Sequence, residues 1–191
     1  MDYDELKFLI RSDLYRYCAK TDIGTLLYCL RNFPGFAYSF WMRICSFLSH
    51  GALKRRLFLR PPRMILSHYE FRYGISIPYQ TRIGSGFYIG HFGGIVVNEM
   101  AVIGKNCNIS QGVTIGQVNR GKRQGCPVIR DNVYVGPGAK IVGNVVVGNH
   151  VLVGANCVVT KDVPDNAVVV GVPGRVVSYG GSEGYVNRTD Y

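Results

Sequence analysis

The chain has 191 residues, 47% hydrophobic and 18% charged, enough apolar side chains for a packed core and too many for a disordered tail. Its 24 glycines follow no Gly-X-Y period, which excludes collagen and a low-complexity linker. The formal net charge of +10 points to an anionic partner, whether nucleic acid, membrane surface or phosphorylated cofactor, without choosing among them.

The start, Met1-Asp2-Tyr3-Asp4-Glu5-Leu6-Lys7, is acidic and lacks the charged-then-apolar pattern of a secretory signal. Helical spacing runs over residues 3–31 through Leu6, Leu9, Ile10, Leu14 and Tyr17, then Leu26, Leu27 and Leu30 after a start signal at Thr21-Asp22. A further helix is expected from Pro34 to about Leu59, with Phe36, Phe40, Ile44, Phe47 and Leu48 on one side. The apolar window from Phe33 to Leu48 is broken by Pro34, Gly35 and Arg43, too short for a span of roughly 20 apolar residues. Around Pro61-Pro62 stand Lys54, Arg55, Arg56, Arg60 and Arg63. They read as a solvated helix end or as a basic N-terminal surface for peripheral membrane contact, through anionic lipid or a lipid-linked acceptor. The expected location is cytoplasmic, at the inner face of the membrane if that surface is used. Cys18, Cys29, Cys45, Cys107, Cys126 and Cys157 form no CxxC pair and have no close His partner, so reduced thiols and no metal are expected.

From Ile77 the rhythm becomes six. Aliphatic residues fall at Ile77, Ile83 and Ile89, at Val97, Ile103, Ile109 and Ile115, and at Ile129, Val135, Ile141, Val147, Val153 and Val159. An α-helix repeats its stripe every 3.6 residues, so this period fits instead a solenoid of short parallel strands, three sides to a coil, with aliphatic residues stacked inside. Two places break it. His91-Phe92-Gly93-Gly94 carries a two-residue insertion between Ile89 and Val97, and eight residues are extruded around Gln117–Cys126. Loops on a rigid scaffold are where function concentrates.

These residues resemble the left-handed parallel β-helix, hexapeptide-repeat acyltransferases, in their serine O-acetyltransferase-like branch. The likeness is carried by Gly90-His91, Gly94-Ile95-Val96-Val97, Gly112-Val113-Thr114-Ile115-Gly116, the run Val135–Asn144 and Gly171-Val172-Pro173-Gly174-Arg175-Val176. The fold expected is thus mainly β: a helical region over 1–72, the left-handed β-helix over 73–178, and a tail over 179–191, mobile or covering the last coil. The resemblance implies a homotrimer that holds acetyl-CoA between neighbouring solenoids and passes acetyl to a hydroxyl, with no metal. His91 matches the family's base, and Gly112 or Gly116 its backbone oxyanion donors. The cofactor positions carried over are Gly116, Gly136, Ala139, Ala155, Thr160, Lys161 and Arg175, with Lys161 and Arg175 toward the CoA phosphates.

The departures concern the acceptor. Where serine acetyltransferases orient the histidine with an Asp, this chain has Ser76, which accepts an imidazole N–H but brings no charge; a backbone carbonyl or an acid such as Glu99 would have to serve. An Asp before the histidine is Gly90, and an Arg-His pair after the extruded loop is Gly125-Cys126, so the bidentate clamp for an amino-acid carboxylate is missing. These losses resemble surface-polysaccharide (colanic acid, capsule) O-acetyltransferases. On that likeness the expected acceptor is a sugar hydroxyl or lipid-linked oligosaccharide, bound by Ser76, Gly90, Gly93 and Cys126, with Tyr88 and Phe92 for stacking. The alternatives are a serine O-acetyltransferase of cysteine biosynthesis and a non-catalytic trimeric scaffold. Arg120, Lys122 and Arg123 are expected to reach a neighbouring copy. No motif beyond charge points to nucleic acid.

Overall fold

The computed structural model describes residues 1–50 and 57–191. Among these, four helices precede the strands: α1 (Tyr3–Cys18), α2 (Ile23–Asn32), α3 (Pro34–Ser49) and α4 (Arg60–Tyr73). Asp2 and Asp22 cap α1 and α2 by accepting the N–H of Glu5 and Thr25, and Ala19, in the left-handed region at φ 54°, separates the two. The helix expected to reach Leu59 ends at Ser49, where the His50 ring bonds the Ser46 carbonyl. Pro61-Pro62 does not stop a helix but starts α4, because first-turn residues need no intrahelical N–H. Lys54, Arg55 and Arg56 of the expected basic surface lie outside the described residues, while Arg60 and Arg63 are exposed on α4. No helix among the described residues is long and apolar enough to cross a membrane.

From Ile75 the chain winds into three stacked parallel ladders. The first face holds β1 (Ile75–Ser76), β4 (Ile95–Val97), β7 (Thr114–Gly116), β10 (Lys140–Val142) and β13 (Val158–Val159). The second holds β2 (Arg82–Ile83), β5 (Val102–Ile103), β8 (Val128–Ile129) and β11 (Val146–Val147). The third holds β3 (Tyr88–Ile89), β6 (Asn108–Ile109), β9 (Tyr134–Val135), β12 (Leu152–Val153) and β14 (Val168–Val170). The hexad residues point inward and are buried, and side chains alternate across each strand. On the first face, Ser76, Val96, Thr114, Lys140 and Val158 therefore form one outward row in register. The corner between the third and first faces carries Gly94, Gly112 and Gly138 at φ +66°, +71° and +71°. A Cβ on Gly112 would stand 3.3 Å from the Gly138 Cα, so glycine serves both the turn and the stacking. After the cis Val172–Pro173 peptide, β15 (Arg175–Ser178) reverses and closes the last coil antiparallel to β14.

The helices cap the open first coil, as terminal units of a solenoid must. Tyr38 bridges the Ile77 N–H and carbonyl with one hydroxyl, both at 2.9 Å, and Tyr17 does the same at Ile89. Asp13 accepts the Phe87 N–H and pairs with Arg43, which donates to the carbonyls of Ile83 and Gly84 at 2.6 Å each. Helix α3 comes so close to β3 that a Cβ on Gly35 would sit 2.4 Å from the Ile89 carbonyl oxygen. Gly35→Ala helps a free helix by about 1 kcal/mol. Here it is expected to destabilise by about 1–3 kcal/mol through overpacking, read as a lower urea midpoint at unchanged slope. The tail does not stay on the last coil but runs back to the first: the Asn108 side chain donates to the Tyr185 carbonyl, and the Tyr191 hydroxyl reaches Ser85 and Asn106.

Candidate active site

Helix α4 ends at Gly74, whose left-handed backbone (φ 61°) turns the chain directly into β1. That turn presses against the insertion. Ile95 donates to the Gly74 carbonyl at 3.0 Å, and the Tyr73 ring meets Phe92 with centroids 5.2 Å apart. Tyr69 stacks on Tyr73 at 5.4 Å and 12°, so Tyr69, Tyr73 and Phe92 form an aromatic row beside the insertion. A cavity of about 470 Å³ runs along this part of α4, lined by Leu30, Arg31, Met64, Tyr69, Arg72 and Tyr73 among others.

His91 is exposed on the insertion, and among the described residues nothing hydrogen-bonds its ring. Gly90 and Phe92 flank it, Phe92 being 50% exposed, and a Cβ on Gly93 would meet nothing within 4 Å. Ser76 lies on the coil before, paired across to Val96, and its hydroxyl donates to Glu70 Oε1 at 2.7 Å. Glu99, the acid considered from the sequence, is exposed on the turn after β4, at the opposite end of that strand from His91. Glu70 was not legible because α4 itself was not expected. The one signal was an acid six residues before the serine.

Other expected site residues fall elsewhere. Tyr88 packs against Tyr17 at 4.5 Å with the Arg16 guanidinium over its ring, so it belongs to the helix–solenoid contact and is no open stacking platform. The Cys126 thiol donates to Asn98 at the far end of β4, and burial pushes its pKa up, which disfavours the thiolate a nucleophile needs. The extruded loop folds onto its own chain: Val118 and Gly125 bridge antiparallel, and Arg123 forms an exposed pair with Asp162 at 3.0 Å. The Gly112 N–H is taken by the Gly93 carbonyl at 2.7 Å, and Gly116 lies within β7 in ladder register with Val142 of β10, so neither of the two backbone donors considered stands free. Ala139 is buried, with its N–H bonded to Gly136 and its carbonyl to Thr114. Gly136 and the exposed Ala155 lie at the corner between the third and first faces, whereas Gly116, Thr160 and Lys161 lie at the other edge of the first face. Arg175 is exposed on β15. Neither Lys161 nor Arg175 is ion-paired among the described residues, which leaves both cations free for phosphate.

His150 takes a left-handed corner position at φ 56°, in line with Asn132 and Asn166, and is structural. Among the described residues, no three His, Cys, Asp or Glu converge as a metal would require.

Residues 126–161 match the model of the bacterial transferase hexapeptide family (six repeats). A serine acetyltransferase of Synechococcus elongatus is 38% identical over 146 residues, covering 76% of this chain and 57% of the relative. The crystal structure of Neisseria gonorrhoeae serine acetyltransferase in complex with serine superposes with a TM-score of 0.74 at 30% identity, over 92% of this chain and 70% of that one. The chain belongs to the hexapeptide-repeat serine acetyltransferase family. A serine acetyltransferase complex with CoA also superposes, with a TM-score of 0.71 at 29% identity, covering 92% of this chain and 70% of that one. In a hexapeptide-repeat transferase of this family the solenoid is a left-handed parallel β-helix, here preceded by a short helical region. The chain spans less than two thirds of the Synechococcus relative's length.

Proposed function

We propose that this protein is an acetyl-CoA-dependent O-acetyltransferase with His91 as general base. The observation that carries the reading is an exposed imidazole, free of other partners among the described residues, on the insertion beside the aromatic row. Acetyl-CoA supplies the activated acetyl group. His91 takes the proton of the acceptor hydroxyl as that oxygen bonds to the thioester carbon. As the carbon–sulfur bond breaks, the imidazolium returns the proton to sulfur, leaving an ester and a free thiol. Lys161 and Arg175 meet the CoA phosphates. Because Gly136 and Ala155 occupy one edge of the first face and Gly116, Thr160 and Lys161 the other, a second copy has to complete the cleft, which supports a homotrimer. A solution mass three times that of the chain is expected, and a fully active monomer would overturn it.

Serine is the acceptor that the comparisons favour, since the relatives are named for it and one neighbour holds it. A neutral sugar hydroxyl is the second reading. It is favoured by the lost carboxylate clamp at Gly90 and Gly125-Cys126 and by the Tyr69–Tyr73–Phe92 row. Thiol release from acetyl-CoA, followed with serine and with neutral oligosaccharides, separates them. Saturable turnover with serine is expected; turnover with sugars alone moves the assignment to the second reading, and turnover with neither removes both.

A further inference from the structure

We infer that Glu70 is a positioning residue that acts on His91 through the Ser76 hydroxyl, and this rests on His91 being the base. The Ser76 oxygen carries one proton, which it donates to Glu70 Oε1 at 2.7 Å, so both its lone pairs are left to accept. The neighbouring segment with a proton donor to offer is the insertion that carries His91. The coil carrying Ser76 lies directly against that insertion: a Cβ on Gly74 would stand 3.2 Å from the Gly94 nitrogen and 3.6 Å from the Gly93 Cα. Glu70 is half-buried, and no Lys, Arg or His ion-pairs with it among the described residues. Burial pushes the Tyr38 phenol up, and the Glu70 charge lies near enough to add to that push. An anion held without a cation, one hydroxyl away from a base that becomes cationic during turnover, supplies the charge that serine cannot. The relay needs the exposed ring, unbonded among the described residues, to turn an N–H to Ser76 Oγ, whose O–H already donates to the Glu70 carboxylate. Titratable or charged groups that face this region are Tyr38 on α3, which feels the Glu70 charge, and Tyr69, Tyr73 and Arg72 on α4 beside Phe92.

The test is the imidazole titration of His91, followed by NMR on the full histidine-labelled chain without acceptor. The chain has four histidines, and His91→Ala identifies the signal. A nearby anion favours the protonated ring, so Glu70→Gln, which keeps an oxygen for Ser76, is expected to lower the midpoint by about 0.5–1 pH unit. Ser76→Ala should lower it equally, and the double variant should go no further. Ser76→Asp combined with Glu70→Gln should restore the wild-type midpoint or exceed it. An unmoved midpoint in Glu70→Gln, or additive shifts in the double variant, overturns the relay. The turnover number should fall about 3–10-fold in Glu70→Gln at neutral pH, the same shift converted at tenfold per unit. Activity that survives His91→Ala would sink the catalytic reading alone, because the titration needs no turnover.

Discussion

Replacing His91 with alanine is expected to lower acetyl transfer by about 10²–10⁴-fold, the usual contribution of a positioned general base. The ring is exposed and makes no hydrogen bond among the described residues, so its loss opens no cavity and leaves no buried partner unsatisfied. The thermal midpoint and the oligomeric mass should therefore stay at wild-type values while turnover collapses. In the wild type, the rate should also fall toward low pH, because a ring that already holds a proton cannot take one from the acceptor. A His91→Ala variant that turns over normally would return the chain to the scaffold alternative.

Arg43→Ala is expected to be the most damaging change remote from His91. Arg43 and Asp13 are both buried, 3.0 Å apart, and together they close the first coil at Ile83, Gly84 and Phe87. Truncating one partner of a buried pair leaves an uncompensated charge and costs about 3–5 kcal/mol, more than most single substitutions. Burial pushes the Asp13 carboxyl up, while the Arg43 guanidinium and the Phe87 N–H pull it back. Without Arg43 the upward push is opposed by the Phe87 bond and the Arg16 charge alone, both weaker than the lost guanidinium. A carboxyl whose folded pKa exceeds its unfolded value loses stability as pH rises between the two. The deficit of Arg43→Ala should therefore shrink near pH 4, about the unfolded carboxylate value, and be largest at neutral pH. Urea melts at both pH values measure this; an equal deficit at each would mean that Asp13 stays ionised regardless.

The solenoid was legible because its determinants are local. Each hexad, from Ile77 to Val159, places one aliphatic residue inward with a turn after it, and stacking repeats the same contact along the axis. The insertion at His91 was equally plain as a failure of that period. Proline chemistry was ambiguous at Pro61-Pro62, since the residue that stops one helix also opens the next, and α4 was missed for that reason. With α4 went Glu70 and Tyr73, the two side chains that the helix brings against Ser76 and Phe92.

Tyr88 shows the same boundary from the other side. Its sequence neighbours made it a stacking platform next to His91, yet α1 covers it with Tyr17 and Arg16. Periodicity and motif spacing, properties of residues a few positions apart, thus specified a β-helix and the insertion that carries His91. The acid behind Ser76, the arginine that closes the first coil and the fate of the extruded loop depended on how α1, α3, α4 and Asp162 dock. Such contacts join residues whose separation along the chain carries no period, so only the packed molecule decides them.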